Sequence, residues 1–128
     1  PYVLGAMHAK DKKCNDAFIL NQHGRLCDST IANIFLVIGN ELHTPELQEG
    51  CIAGIMRKTI IESLKDSSYT VSETRIEKDM VLKADELFLT NSIHNIRWVK
   101  SIEGVEKSCT KTLEILHHLQ QTNPRVFC

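Results

Sequence analysis

The chain has 128 residues, of which 42% are hydrophobic and 24% are charged, a composition typical of a single soluble globular domain. Its net charge of −1 gives no general attraction to nucleic acid or to an anionic membrane surface, so neither partner is expected. No apolar run reaches the roughly 18–20 residues that a membrane-spanning helix needs.

Hydrophobic periodicity predicts a mixture of helices and strands in the first half of the chain. The first is a helix over residues 2–13, followed by strands over 17–21 and 26–29 that a hairpin turn joins. A buried strand over 34–38 comes next. The Gly39-Asn40 turn then leads into a strand over 41–44, which ends at Pro45.

The second half continues the same mixture. The pattern predicts a helix from Ile55 to about Lys65, an edge or half-exposed strand over 69–76 and a short helix over 77–84. Strands over 86–89 and 97–102 follow, and then a helix over 110–121 with Leu113, Leu116 and Leu119 on its apolar face. Local hairpins among helices favour a mixed α/β fold, with a mixed sheet and flanking helices. No repeat or linker divides the chain, so it is one unit.

A glycine-bearing turn, Glu49–Arg57, leads directly into the helix that begins at Ile55. The first N–H groups of a helix have no intrahelical partner and carry partial positive charge. A turn of this kind can therefore hold a phosphate group.

Four segments in order carry a resemblance to a known family. They are GRLCDSTIANIF at Gly24–Phe35, Thr44-Pro45, GCIAGIMR at Gly50–Arg57, and ADELFLTNS at Ala84–Ser92. Together they resemble the class IV aminotransferases, pyridoxal-phosphate enzymes of fold type IV that include branched-chain and D-amino-acid aminotransferases and aminodeoxychorismate lyase. The resemblance covers residues 1 to about 103 and implies the large domain of that fold.

The resemblance implies roles for six residues. Asp28 matches the acid beside the pyridine nitrogen of pyridoxal 5′-phosphate, where the family usually has glutamate. Backbone N–H groups of Gly54, Ile55 and Met56 match the phosphate contacts, although methionine lacks the hydroxyl that the family often supplies at this position. Ser92 matches a second hydroxyl contact to the phosphate, and Asn91, in the same loop, is the sixth expected cofactor-binding residue.

The remaining reactive side chains have structural interpretations. Five irregularly spaced cysteines without a CxxC pair predict reduced thiols in a cytoplasm and no structural zinc site. Cys51 is expected to be a packed thiol rather than a nucleophile. Arg57 is expected to form a surface ion pair or a dimer contact, and Phe88 and Trp98 to be core or interface aromatics. No metal ligands are expected.

The family also requires a lysine that binds the cofactor covalently. It lies just upstream of the helix that matches Pro1–Leu4, and Lys10, Lys12 and Lys13 do not fit its position. The chain opens at Pro1 within helix-like sequence and without a start methionine. We therefore expect residues 1–128 to be the C-terminal large domain of a longer enzyme, without the small N-terminal domain, without a catalytic residue and inactive by itself.

Two functional hypotheses follow. The first is an aminotransferase or an aminodeoxychorismate lyase, acting on an amino acid or an amino-chorismate as a homodimer, which is the assembly the family implies. The second is a non-catalytic structural or interaction domain that retains the fold, as Asp28 in place of glutamate and Met56 in place of a hydroxyl residue would allow.

Overall fold

A five-stranded mixed sheet is the centre of the fold in the computed structural model, which describes residues 18–29, 32–91 and 95–124. The strand order is β5-β4-β3-β6-β7. These strands are β3 (Asn33–Ile38), β4 (Glu41–Pro45), β5 (Thr70–Thr74), β6 (Glu86–Asn91) and β7 (Asn95–Trp98). The pair β4 and β5 is parallel, and the other neighbours are antiparallel. The predicted mixed sheet, with the strand after Tyr69 at its edge, is confirmed.

Two short hairpins accompany the sheet. β1 (Phe18–Leu20) pairs with β2 (Leu26–Ser29), as the sequence predicts. β8 (Ser101–Ile102) pairs with β9 (Val105–Glu106). The prediction of one strand over 97–102 is therefore wrong. β7 ends at Trp98, and the chain after Val99 pairs with itself in a separate hairpin whose turn contains Glu103 and Gly104.

Three α-helices lie in the described ranges: α1 (Ile55–Ser63), α2 (Lys78–Lys83) and α3 (Thr110–Thr122). A short 3-10 helix (Leu47–Glu49) precedes the turn that leads into α1. Each α-helix lies within two residues of its predicted bounds, whereas the helix predicted over 2–13 lies outside the described residues. None of the described helices is long and apolar enough to cross a membrane.

Both faces of the sheet are buried. On one face Phe35 and Phe88 stack with their ring centroids 5.0 Å apart, and Met56 and Ile60 of α1 pack over them with Ile115 of α3. The other face carries a second core, to which the β1–β2 hairpin and α2 contribute. Its buried members are Leu26, Ile34, Leu36, Ile76, Val81, Ala84, Leu87 and Leu89. Because β3 is covered on both sides, its continuous apolar run is explained.

The buried stripe of α3 differs from the predicted one. Leu119 is buried, but Leu113 is 56% exposed, and Thr112 and Ile115 are the other buried residues. A helix turns by about 100° per residue, so two steps of three residues stop about 120° short of two full turns. Leu113 therefore lies about 120° from Leu119 around the helix axis. The position of Leu113 was predicted wrongly for this reason.

Candidate functional site

The motif segments come together where α1 begins. Asn33 at the start of β3 pairs in register with Thr90 near the end of β6. Since α1 packs against β6, the turn before α1 lies beside this strand pair. Asp28, one residue before the end of β2, completes the group. Residues distant in sequence thus form one site at one end of the sheet.

The N-terminus of α1 is open. Gly54 is its N-cap, and no described side chain caps the helix. The first helical hydrogen bond runs from the Lys58 N–H to the Gly54 carbonyl oxygen. The N–H groups of Ile55 and Met56 therefore have no partner among the described residues. The Gly54 N–H, by contrast, donates to the Ile52 carbonyl oxygen at 2.9 Å, so it is already engaged.

Asp28 is buried, with 1% of its surface exposed, and is attached to the turn before α1. Its Oδ2 atom accepts a hydrogen bond from the Ile52 N–H at 2.8 Å, and its Oδ1 atom accepts one from Asn33 Nδ2 at 3.0 Å. The carboxylate is therefore held in one orientation by two different segments of the chain.

Close packing explains the glycine at position 54. A Cβ atom added to Gly54 would overlap Asn33 Oδ1. The backbone of Gly54 has φ −68°, so glycine is required here by space and not by backbone conformation. The sequence did not show this, because Asn33 belongs to a distant segment.

A second contact fixes the other end of the turn. The side chain of Glu49, at the end of the 3-10 helix, forms an ion pair with Arg25 of the β1–β2 hairpin. Asn21 Nδ2 donates to the Glu49 carbonyl oxygen at 3.2 Å. The hydrogen bond from Arg25 lowers the pKa of the Glu49 carboxyl. Glu49 and Asp28 together attach the turn to the hairpin, a role that the sequence analysis did not assign to Arg25 or Glu49.

Thr90 carries a buried hydroxyl that the sequence analysis also missed. The residue is 1% exposed, and its Oγ1 atom has no hydrogen-bond partner among the described residues. Asn91 follows as the last residue of β6, opposite Asn95 of β7. Ser92, the predicted hydroxyl contact, lies outside the described residues.

The side chains of the first turn of α1 are used in packing. Met56 is buried in the core against the sheet, so its backbone N–H is the group it can present to a ligand. Arg57 is also buried, which corrects the expectation of a surface ion pair. Its guanidinium donates to the Pro45 carbonyl oxygen at 3.1 Å and to Glu73 at 2.6 Å, because this turn packs on the β4–β5 edge.

Cys51 is a packed thiol, as predicted. Burial is the largest cause that raises its pKa, to about 11, and the negative charge of Asp28 adds to the rise. Its Sγ atom lies 3.5 Å from the Pro45 carbonyl oxygen, to which it donates. A thiol with this pKa is almost entirely protonated at neutral pH and is a poor nucleophile.

Three large apolar side chains are exposed around the turn. Leu47, Ile52 and Ile55 are exposed, and Ile55 has 75% of its surface accessible. No group of three or more His, Cys, Asp or Glu side chains in the described part of the chain could hold a metal ion.

Comparison with known proteins confirms the family resemblance and the fold class. The model of the family "amino-transferase class IV" matches residues 1–102. The chain is 30% identical to an aminodeoxychorismate lyase of Bacillus subtilis, over 95% of this chain and 45% of that protein. It is 28% identical to a branched-chain-amino-acid aminotransferase of Pseudomonas aeruginosa, over 80% of this chain and 33% of that protein.

A solved structure gives the same result. The branched-chain aminotransferase of Thermoproteus uzoniensis superimposes with a TM-score of 0.85 and 25% identity, over 93% of this chain and 41% of that one. The chain thus spans less than half the length of each of these relatives.

Proposed function

Because this chain belongs to the class IV aminotransferase family, whose enzymes depend on pyridoxal 5′-phosphate, we propose that it is the large domain of such an enzyme and supplies part of the cofactor site. One observation carries the proposal. Helix α1 begins without a side-chain cap, and Asp28 and Asn33 fix the turn before it through hydrogen bonds to the backbone of Ile52. An uncapped helix start with fixed N–H groups is a site for a phosphate group.

The residues present fit the cofactor in their chemistry, because they combine open backbone donors with an oriented acid. The N–H groups of Ile55 and Met56 are the proposed phosphate donors, together with Asn91, which ends β6 and does not lie in the predicted loop, and Ser92, which follows it in the sequence. The proposal for Gly54 changes, because its N–H is engaged: its role is to let the turn approach Asn33 closely. Met56 supplies no hydroxyl, so backbone donors carry more of the phosphate contact than is usual in the family.

Asp28 is the proposed partner of the pyridine nitrogen. When bound, pyridoxal phosphate accepts electrons from the substrate, and a protonated ring nitrogen favours this. A carboxylate stabilises that proton by its negative charge. The two hydrogen bonds that orient Asp28 support this role, since a carboxylate that faces a ring nitrogen has to be held in one orientation.

Catalysis is proposed for the whole protein, since the chain spans less than half the length of its relatives. That the lysine which binds the cofactor lies upstream of Pro1, and is none of the lysines of this chain, stays a prediction. The non-catalytic alternative is not favoured, because the family match covers most of the chain.

The proposed reaction is that of an aminodeoxychorismate lyase. The lyase relative is matched over 95% of this chain, a larger share than the aminotransferase relative. The segment Leu89–Ser92 also resembles lyase-type and related members of the family slightly more than branched-chain aminotransferases. A branched-chain or D-amino-acid aminotransferase is the second candidate, supported by the solved aminotransferase structure.

We further propose a homodimer in the cytoplasm. The exposed Leu47, Ile52 and Ile55 form an apolar surface beside the site, which supports burial by another domain or subunit. The free thiols Cys51 and Cys109 support a reducing compartment.

The experiment uses the full-length protein that contains this chain. Added pyridoxal phosphate should give a visible absorbance band, and borohydride should link the cofactor to a peptide on the N-terminal side of Pro1. Consumption of aminodeoxychorismate without amino transfer to a 2-oxo acid would identify the lyase, and the reverse would identify the aminotransferase. A colourless protein that takes up no cofactor would contradict the proposal.

A further inference from the structure

The Asn33 side chain contacts both Asp28 and the turn before α1. Its Nδ2 atom donates to Asp28 Oδ1 at 3.0 Å and to the Ile52 carbonyl oxygen at 2.7 Å. A side-chain amide has two N–H donors, so these bonds use both. Its Oδ1 atom lies against Gly54, where a Cβ would overlap it.

Asn33 is itself held firmly. It is buried, and it begins β3, the central strand of the sheet, where it pairs with Thr90 of β6. Its side chain is therefore a fixed point from which both Asp28 and the turn before α1 are positioned.

We propose that Asn33 is a positioning residue that couples the Asp28 carboxylate to the N-terminus of α1. The inference rests on the proposed function, in which Asp28 faces the ring nitrogen and α1 faces the phosphate. The ring nitrogen and the phosphate belong to one small molecule, so a carboxylate and a helix start that held both would need to keep a separation within a narrow range. Asn33 bridges the two groups that define that separation, and a change of about 1 Å in such a site has large effects.

A purely structural role makes a different prediction. If Asn33 only stabilised the fold, its loss would lower the unfolding free energy as much as the loss of any comparable buried hydrogen bond. Thr44 provides that comparison, because its Oγ1 atom donates to the Ile34 carbonyl oxygen at 2.7 Å and is likewise buried. Thr44 makes no described contact with Asp28 or Gly54, so Thr44→Val is the matched control.

The test is a double-mutant cycle on cofactor affinity in the full-length protein. Dissociation constants for pyridoxal phosphate are measured by absorbance for wild type, Asn33→Ala, Asp28→Ala and the double variant, at a temperature where circular dichroism shows each to be folded. We expect Asn33→Ala to weaken binding about tenfold or more, and to have little further effect once Asp28 is removed. Thr44→Val should leave the affinity unchanged while it lowers the melting temperature.

Two results would overturn the inference: additive effects of Asn33→Ala and Asp28→Ala, or an equal loss of affinity in Thr44→Val. If Asn33→Ala does not fold, Asn33→Ser carries the same cycle, because serine keeps a donor that is too short to bridge both groups. Failure of the proposed function gives a distinct result, since the wild-type protein would then not bind pyridoxal phosphate at all.

Discussion

Glu86 accepts two hydrogen bonds from Thr112, one from its backbone N–H and one from its hydroxyl, both at 2.7 Å. The other carboxylate oxygen accepts bonds from the Lys111 N–H and the Ser108 hydroxyl. A buried carboxylate thus occupies the N-terminus of α3. Helix α1 starts at the opposite end of β6, and no described side chain accepts hydrogen bonds from its first N–H groups. The fold supplies its own anion to one helix and leaves the other open.

Loss of the Glu86 carboxylate should destabilise the protein strongly. Glu86→Ala leaves two N–H groups and two hydroxyls without their acceptor, and we expect the unfolding free energy to fall by about 3 kcal/mol. Urea denaturation of the variant beside Glu106→Ala, which removes an exposed carboxylate, is the measurement. A similar small loss in both variants would show that Glu86 does not hold α3.

Thr90 and Thr112 should respond in opposite ways to the same substitution. Thr90→Val removes a buried hydroxyl that has no partner among the described residues, so we expect the cofactor-free protein to gain about 1 kcal/mol. Thr112→Val removes a hydroxyl bonded to Glu86 and should cost about 1–2 kcal/mol. Thermal unfolding without added cofactor compares the two. A loss of stability in Thr90→Val would mean that the hydroxyl has a partner.

Gly54→Ala should be harmful for steric reasons alone. The new methyl group would overlap Asn33 Oδ1, and relieving that contact should cost about 1–3 kcal/mol. In the Asn33→Ala background the obstacle is absent, so the same substitution should cost much less. Denaturation midpoints of the four proteins give the answer. An equal cost in both backgrounds would point to a backbone cause instead.

The ion pair of Arg25 and Glu49 should make stability depend on acid pH. The hydrogen bond from Arg25 lowers the pKa of Glu49 in the folded protein. The stabilisation is therefore complete above the unfolded pKa of about 4.3 and is lost as the pH falls through the lower folded value. The measurement is the urea unfolding midpoint as a function of pH, from about pH 3 to about pH 7, a range that includes the unfolded pKa. Arg25→Met should flatten this dependence, and an unchanged slope would exclude the pair as its source.

Cys51 should react slowly with alkylating reagents in the folded state. Burial raises its pKa to about 11, so little thiolate is present at pH 8, whereas an ordinary thiol has a pKa of about 8.5. Iodoacetamide labelling followed by peptide mass spectrometry compares the folded protein with the urea-unfolded one. Equal rates at Cys51 in both states would contradict the raised pKa.

Much of the fold could be predicted from local sequence. Continuous apolar runs identified β3 and β6, and the Gly39-Asn40 turn located the hairpin from β3 to β4. These predictions succeeded because side-chain periodicity and turn chemistry are properties of neighbouring residues. Where two short strands followed each other closely, at Trp98 and Ser101, the sequence did not separate them, because pairing partners decide where a strand ends.

The sequence by itself determined the family, the glycine turn before α1 and the candidate acid Asp28, since these are ordered motifs that can be read along the chain. Tertiary structure alone decided that Asn33 bridges Asp28 and Ile52, that Glu49 is paired with Arg25, and that the hydroxyl of Thr90 is buried. The physical reason is that the periodic pattern of apolar residues does not show which partner a polar side chain has. Its role depends on which distant donor or acceptor the sheet brings within about 3 Å of it, and only the folded chain fixes that distance.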